Sequence, residues 1–176
     1  MTAALTVGPL QAFRYWYVRW EEGQAVLQSL YYPTRWPPDV PLQASCEKRP
    51  GYLVAWTRKL FAVQATTHPS PASECWCGIY ALKQLEGIEH RELLPQLYQP
   101  GQDRGVHVIG VVLLWGRVIQ HEHGYRAEYA RPLRLLTGPP DGRCGDIDRL
   151  LAAASRRYAI PLVSRVEELL YPERAA

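Results

Sequence analysis

The sequence predicts an α+β fold that is predominantly β: a small curved sheet or barrel with two or three peripheral helices. Aromatic and β-branched runs of strand length recur along the chain, and glycine and proline separate them. Apolar residues at helical spacing appear in only a few segments. A chain of 176 residues is long enough to bury one core, so residues 1–176 are expected to form a single domain.

Strands in the first quarter of the chain are predicted from residue types. FRYWYVRW at 13–20 is dense in aromatic residues and ends at the turn EEG, and AVLQSLYY at 25–32 is its expected partner. The segment 32–41, YPTRWPPDVP, carries four prolines, which interrupt strand pairing and predict an extended surface loop. LQASC at 42–46 predicts a third strand.

The middle of the chain is less regular. GYLVAWTRKLFAV at 51–63 satisfies neither the strand period nor the helix period, so both remain open. A loop over 67–75 leads into a short predicted strand, WCGIYALK at 76–83. Apolar spacing over 85–98 predicts a short irregular helix, and PGQDRG at 100–105 predicts a turn.

A long hairpin is predicted over 106–136. VHVIGVVLLW at 106–115 is continuously apolar, which is typical of a strand covered on both faces. Gly116 predicts a bulge or bend. The chain then turns through EHG, where Gly124 is available for a left-handed conformation, and YRAEYA returns as the hairpin partner.

The C-terminal helical segment is predicted over about 146–172. Asp146 or Asp148 is expected to cap its first helix. The apolar stripe of that helix comprises Ile147, Leu150, Leu151 and Ala154. IPLV at 160–163 predicts a short strand, and VEELL a last helical turn.

Composition limits the class of protein. The hydrophobic share of 47% and charged share of 21% are typical of a globular chain. A net charge of +3 permits a nucleic-acid partner without requiring one. The start of the chain lacks a secretory pattern, and the longest apolar run, 108–115, is too short to span a bilayer. We expect a cytoplasmic protein with reduced cysteines and no membrane partner.

Three cysteines and one histidine have the residue types of a structural zinc site. Cys46 ends a predicted strand, His68 lies in a loop, and Cys75 and Cys77 flank the start of the next strand. Zinc takes four sulfur or nitrogen ligands in such sites, so zinc is the predicted cofactor. The alternatives are that these cysteines are small buried residues, or a redox pair. Cys144 is distant in sequence and is expected to be a loop thiol.

The hairpin sequence HEHGYRAEYA concentrates polar and aromatic side chains. His121 and His123 share one strand face and could form a metal-binding pair or a solvated turn. A groove that stacks on bases or grips phosphates is predicted from guanidinium and aromatic groups. Its predicted ligand-binding residues are Trp36, Trp115, Arg117, His121, Tyr125, Arg126 and Glu128. Alternatively, Arg126 and Glu128 form an ordinary hairpin ion pair.

Two segments resemble known proteins. CWCGIYAL at 75–82 and GVVLLWGRVIQHEHGYRAEYARP at 110–132 resemble a group of uncharacterised bacterial proteins with a CxCGIYA segment and a WGxVxEHxxGYRAEYA segment. The resemblance spans about residues 30–135 and implies no assigned activity. GIYAL followed by HVIGVVLLWGRV at 107–118 is similar to PUA-like small barrels of the ASCH and EVE types, many of which bind RNA or modified bases.

Together these observations predict a non-enzymatic binding module. It would recognise RNA, DNA or a nucleotide-like ligand through an aromatic and basic face, supported by zinc. The alternative is a protein–protein interaction adaptor that uses the loop 32–41 and its exposed tryptophan. Signatures such as GxSxG, HExxH and Gly-rich phosphate loops are absent from the sequence. An enzyme using His121 and Glu128 for acid–base chemistry is the third alternative.

Overall fold

The computed structural model describes residues 5–30, 34–46, 68–85, 105–137, 145–165 and Leu169. All seven strands in these residues belong to one sheet. The elements are β1 (Leu5–Glu21), β2 (Gln24–Ser29), β3 (Leu42–Gln43), β4 (Ile79–Leu82), β5 (Val106–Gln120), β6 (Gly124–Leu136), α1 (Gly145–Tyr158) and β7 (Leu162–Val163). The predicted class, predominantly β with a curved barrel-like sheet, is confirmed.

Four strands close into a ring. β1 pairs antiparallel with β5, and β5 pairs antiparallel with β6. β4 pairs with β6 on one side and meets β1 at a single pair, Phe13 with Leu82, on the other. The edge of β1 that meets β4 also pairs with β2. Long strands that coil in this way leave few unpaired backbone groups and enclose one apolar interior.

Strand β6 has one edge that three strands share in succession. β4 pairs with residues 124–127, β3 pairs with residues 129–130, and β7 pairs in parallel with residues 135–136. Both β3 and β4 run antiparallel to β6, so β3 ends and β4 begins on either side of Glu128. The Ala44 N–H continues past the end of β3 by donating to the Glu128 carbonyl at 2.7 Å.

Glycines lie at the first turn and at the bulge of the sheet. The two-residue turn after β1 has positive φ at Glu22 (49°) and Gly23 (76°), as hairpins of this length require. Gly116 has φ 77° and lies where the β5–β6 register shifts, so the predicted bulge is confirmed. Gly124 does not take the left-handed conformation predicted for it. It instead lies so close to the Ala81 carbonyl that a Cβ atom would overlap that oxygen.

The helix shares the main apolar core with the sheet. α1 packs mainly on β2, and the predicted apolar stripe is buried together with Tyr158. The Tyr158 hydroxyl donates to the Trp36 carbonyl at 2.9 Å and accepts from the Leu27 N–H at 3.0 Å. This one hydroxyl ties the helix to a strand and a loop, and it satisfies two buried backbone groups.

Helices are fewer than predicted. α1 is the one full helix among the residues described here, and it ends at Tyr158 because Ala159 turns the chain with φ 51°. The segments 51–63 and 86–98 lie outside the described residues, as does Cys144. Strand β3 is shorter than the predicted 42–46. Over the described ranges, no helix is long and apolar enough to cross a membrane.

Gly110 in β5 is a sensitive packing position. A Cβ atom there would overlap the Arg134 carbonyl and lie 3.1 Å from both Leu135 and Trp16 side-chain atoms. Gly110→Ala is expected to lower the free energy of unfolding by about 1–3 kcal/mol through overpacking. The matched control is Gly8→Ala in β1, where nothing lies within 4 Å of the added carbon. Urea unfolding of both variants makes the comparison, and equal losses would refute this account of the site.

Candidate metal centre

The junction between β3 and β4 brings the predicted ligands together. Cys46 follows β3, while His68, Cys75 and Cys77 precede β4. Their ligand atoms all lie within 4.8 Å of one another, and they form the one group of three or more such residues found in the described part of the chain. The four residues can therefore hold a metal ion.

One distance inside the cluster, between the sulfurs of Cys46 and Cys75, matches that between two ligands of one zinc ion, and the distance from Cys46 to His68 is the shorter one of a direct hydrogen bond. Cys46 Sγ lies 3.6 Å from Cys75 Sγ and 3.0 Å from His68 Nε2. Ligands about 2.0–2.3 Å from a tetrahedral zinc ion lie about 3.5–3.8 Å apart. His68 Nδ1 is 3.0 Å from the Pro69 carbonyl. A proton on Nδ1 donates to that oxygen and leaves the Nε2 lone pair facing the thiols, which is the usual arrangement of a metal-ligating histidine.

The thiols have unequal acidities. Burial raises the pKa of Cys46 to about 11, and the neighbouring Cys75 and Cys77 add to that rise. Burial also acts to raise the pKa of Cys75, but hydrogen bonds from the Cys77 backbone, His68 and the other thiols lower it to about 6. The Cys75 thiol is therefore more easily ionised than the Cys46 thiol, and a bound cation would favour the thiolate of Cys46 as well.

The exposure of the cysteines helps to decide between a metal site and simple burial of the thiols. Cys46 is 9% exposed, whereas Cys75 and Cys77 are half-buried. Simple burial would account for Cys46 alone. Burial does not explain why the thiols of Cys75 and Cys77 and the imidazole of His68, which come from other segments, lie beside the Cys46 thiol. All three described cysteines are free thiols, in line with the expected reduced state.

Arg126 supports the loop that carries Cys75 and Cys77, here called the metal loop. Its side chain is buried, with 3% exposure. The guanidinium donates to the carbonyls of Ala72, Cys75 and Cys77, and its Nε donates to His121 Nε2 at 2.8 Å. The sequence analysis placed Arg126 in a ligand groove. The structure places it beneath the metal loop instead, because its side chain on β6 is covered by the carbonyls of that loop and not by solvent.

The prediction that Trp36 lies on an exposed face is wrong. Its side chain is 2% exposed and packs edge-on against Trp16, with ring centroids 5.4 Å apart. The Trp36 Nε1 donates to Ser29 Oγ at 3.0 Å, and the Arg14 guanidinium lies over the ring. The loop still pairs with β2 through a bridge between Gln28 and Arg35 and bends at residues 38–40, and it turns the indole of Trp36 into the core.

The other predicted groove residues fall into separate contacts. Trp115 stacks on Tyr129, with centroids 5.9 Å apart. Glu128 accepts a hydrogen bond from the Arg117 backbone N–H at 3.1 Å, so the predicted pairing of Arg126 with Glu128 is replaced by other partners. Tyr125 lies under the Lys83 ammonium, 5.6 Å from the ring centroid.

The histidine pair of the hairpin is split. His121 accepts the hydrogen bond from Arg126 described above. His123 is a solvated turn residue, with its side chain 71% exposed and 3.8 Å from the Glu122 carboxylate. Of the two alternatives for this pair, the solvated turn fits His123, and neither histidine belongs to a metal-ligand group among the described residues.

Trp76 and Tyr80 were missed by the sequence analysis. Trp76 stands between two of the ligand cysteines and is 85% exposed, the highest value among the large apolar side chains described. Tyr80 is 44% exposed, and its hydroxyl donates to the Trp76 carbonyl at 2.6 Å. A tryptophan inside a Cys-x-Cys segment was the available signal, because an apolar ring beside a tight metal loop has little room to turn inward.

Comparisons with protein families, curated proteins and solved structures find no match to this chain. The functional interpretation therefore depends on the donor atoms of the cluster and on the side chains around it. The described features closest to the cluster are the buried Arg126, which is hydrogen-bonded to its loop, and the exposed ring of Trp76.

Protonation of His121 is expected to weaken the folded protein in acid. Burial lowers the pKa of His121 below its ordinary value of 6.5, and the charges of Arg126 and Lys83 lower it further. The unfolded chain then binds the proton more readily than the folded chain, so the free energy of unfolding falls as the pH drops below about 6.5. In His121→Gln, whose amide oxygen can still accept from Arg126, that fall should be smaller.

The matched control is His123→Gln, because His123 is exposed in the same turn. Urea unfolding at a series of pH values measures the difference between each variant and the parent protein. The cysteine titrations occur in all three proteins and cancel in this comparison. An acid loss of stability that is the same in the parent protein and in His121→Gln would contradict the assignment.

Proposed function

We propose that this protein is a zinc-supported binding module that recognises single-stranded nucleic acid, with Trp76 as its main stacking residue. One observation carries the proposal: the 85% exposed indole of Trp76 sits between two candidate metal ligands. Exposing so large an apolar side chain forgoes about 1.5–3 kcal/mol of burial energy. A metal-held loop presents the ring rigidly, which lowers the entropy lost when it binds.

Zinc is the metal that suits this donor set best. Three thiol sulfurs and one imidazole nitrogen are the donors of many structural zinc sites. The soft sulfurs disfavour magnesium and calcium, which take oxygen ligands. Four protein ligands complete a tetrahedral shell and leave no position for a reactive water, so the proposed role of the zinc is structural.

Nucleic acid is favoured as the ligand by chemistry around Trp76. Base stacking on an aromatic ring contributes about 1–3 kcal/mol per base, and zinc knuckles are among the modules that bind single-stranded RNA. Tyr80, in the strand that follows this loop, adds a second half-exposed ring. The net charge of +3 favours phosphate contacts. The likeness to PUA-like barrels, many of which bind RNA, points the same way.

The alternative function, a protein–protein interaction adaptor, lacks the exposed residue on which it mainly depended. It relied on an exposed Trp36 in the loop 32–41, and that indole is buried. Val40, at 60% exposed, is the large apolar side chain that this loop still offers. An interaction with another protein through Trp76 is an outcome that the binding experiment below can reveal.

Purified protein is expected to contain about one zinc per chain, as measured by elemental analysis. Cys75→Ser should lose that zinc and become less stable, because the binding free energy of a structural metal contributes to folding. Ser45→Ala is the matched control, since it changes an exposed residue beside Cys46 and leaves the ligands intact. A parent protein without zinc, or full zinc content in Cys75→Ser, would rule out the proposed site.

Trp76→Ala is expected to weaken binding to labelled single-stranded oligonucleotides by about 5- to 150-fold, the equivalent of one lost stacking contact. Fluorescence anisotropy measures the affinity, which should also fall as salt rises because phosphate contacts release counterions. Trp20→Ala is the matched control, because Trp20 is also exposed, at 44%, but lies at the β1–β2 turn. Equal affinities of Trp76→Ala and the parent protein, or no binding at all, would refute nucleic-acid recognition through this ring.

A further inference from the structure

Three successive carbonyls of the metal loop are held by one pair of side chains. The Arg126 guanidinium donates to the carbonyls of Cys75 and Cys77, the latter at 3.2 Å. The Tyr80 hydroxyl donates to the intervening Trp76 carbonyl at 2.6 Å. Tyr80 in β4 and Arg126 in β6 are directly opposite each other in the sheet, and the guanidinium lies 6.0 Å from the centre of the Tyr80 ring.

The hydroxyl of Tyr80 also controls where a backbone donor points. The Trp76 carbonyl and the Cys77 N–H belong to the same planar trans peptide and point in opposite directions. When Tyr80 holds that carbonyl on the side of β4, the N–H is turned toward the thiols. The Cys77 backbone N–H is among the groups that lower the pKa of the Cys75 thiol. Tyr80 thus acts on the ligand sulfur through one intervening peptide, without touching it.

Close approach of the loop to the sheet requires glycine at position 78. Gly78 has φ 122°, a conformation that side chains rarely adopt. A Cβ atom there would lie 3.0 Å from the Cβ atoms of Arg126 and Pro71. The loop therefore lies directly on the pair that holds its carbonyls, and its position is determined by the sheet.

The buried positive charge of Arg126 is a second argument that this residue serves the metal centre. A buried cation is costly unless a negative group compensates it. The partners of its guanidinium are neutral: three carbonyls, the His121 nitrogen and the Tyr80 ring. Among the described residues, no carboxylate forms an ion pair with it. Three thiolates around one divalent ion carry about one net negative charge, and the guanidinium is hydrogen-bonded to the backbone carbonyls of two of these three cysteines.

We propose that Tyr80 and Arg126 are positioning residues of the metal centre, which preform the Cys75–Cys77 loop and compensate the charge of the metal–thiolate cluster. Neither residue binds the metal. The inference rests on the metal site proposed above, and it adds that the site is organised by the sheet before the ion arrives. Partners of this kind typically change metal affinity by about 10- to 100-fold.

Competition with a chromogenic chelator measures the zinc affinity of purified variants. Tyr80→Phe removes one hydroxyl from a half-exposed ring and should weaken zinc binding about tenfold or more. Arg126→Met should weaken it further, and Arg126→Lys, which keeps the charge, should recover part of the loss. Tyr129→Phe is the matched control for the hydroxyl, because that hydroxyl is exposed and bonded to the Gln43 side chain. Arg149→Met on the exposed face of α1 controls for charge.

Cobalt in place of zinc supplies a readout that a purely structural role would not change. In Tyr80→Phe the Cys77 N–H is no longer held toward the Cys75 thiolate. That thiolate becomes a stronger electron donor, so the thiolate-to-cobalt absorption band should move to longer wavelength. The Tyr129→Phe band should not move. Zinc affinity and a cobalt spectrum in Tyr80→Phe equal to those of the parent protein would overturn the inference.

The outcomes also separate this inference from the proposal on which it rests. A parent protein that binds neither zinc nor cobalt overturns both. A parent protein that binds zinc, with Tyr80→Phe and Arg126→Met binding it as tightly as the parent protein does, overturns only the inference about the pair. If Arg126→Met does not fold, Tyr80→Phe decides the question alone, because its ring stays in place and the core is unchanged.

Discussion

The shared edge of β6 is the constraint on which the rest of the site depends. Two short strands, β3 and β4, pair with that edge end to end, and the break between them falls at Glu128. The chain leaves the sheet at the end of β3 and returns at the start of β4 at neighbouring places. Cys46 therefore meets Cys75 and Cys77, although the sequence separates them. Backbone hydrogen bonds, which are directional and costly to leave unmade, set this geometry.

Burial separates the tryptophans that pack in the core from one that is exposed. Trp16 and Trp36 fill the interior at right angles to each other, and the Tyr158 hydroxyl joins α1 to the Trp36 carbonyl. Trp76 has the same side chain and stands in solvent. The difference arises because the Trp36 loop lies over the open interior of the ring, whereas Trp76 lies on a loop already packed against the outer face of β4 and β6. Its two neighbouring cysteines turn toward the cluster and leave the indole outside.

Electrostatics links the metal loop to the hairpin. Arg126 is buried between the carbonyls of the Cys75–Cys77 segment and His121. Burial and the nearby cations lower the pKa of His121, which favours the neutral ring that accepts the hydrogen bond from Arg126. The hairpin residues that looked like a ligand groove thus serve, in part, to hold the loop. The proposed binding surface moves accordingly from the hairpin to the exposed rings of Trp76 and Tyr80.

The sequence by itself determined the strands, the Gly116 bulge, the α1 stripe and the identity of the four candidate ligands. These features depend on local periodicity, backbone conformation and donor chemistry, which neighbouring residues specify. The tertiary structure alone decided that Trp36 is buried, that Arg126 supports the loop and that Cys46 lies 3.6 Å from Cys75. Each of these depends on strand register across β6. Register is a relation between distant segments, and a shift of one residue would exchange the two faces of a strand.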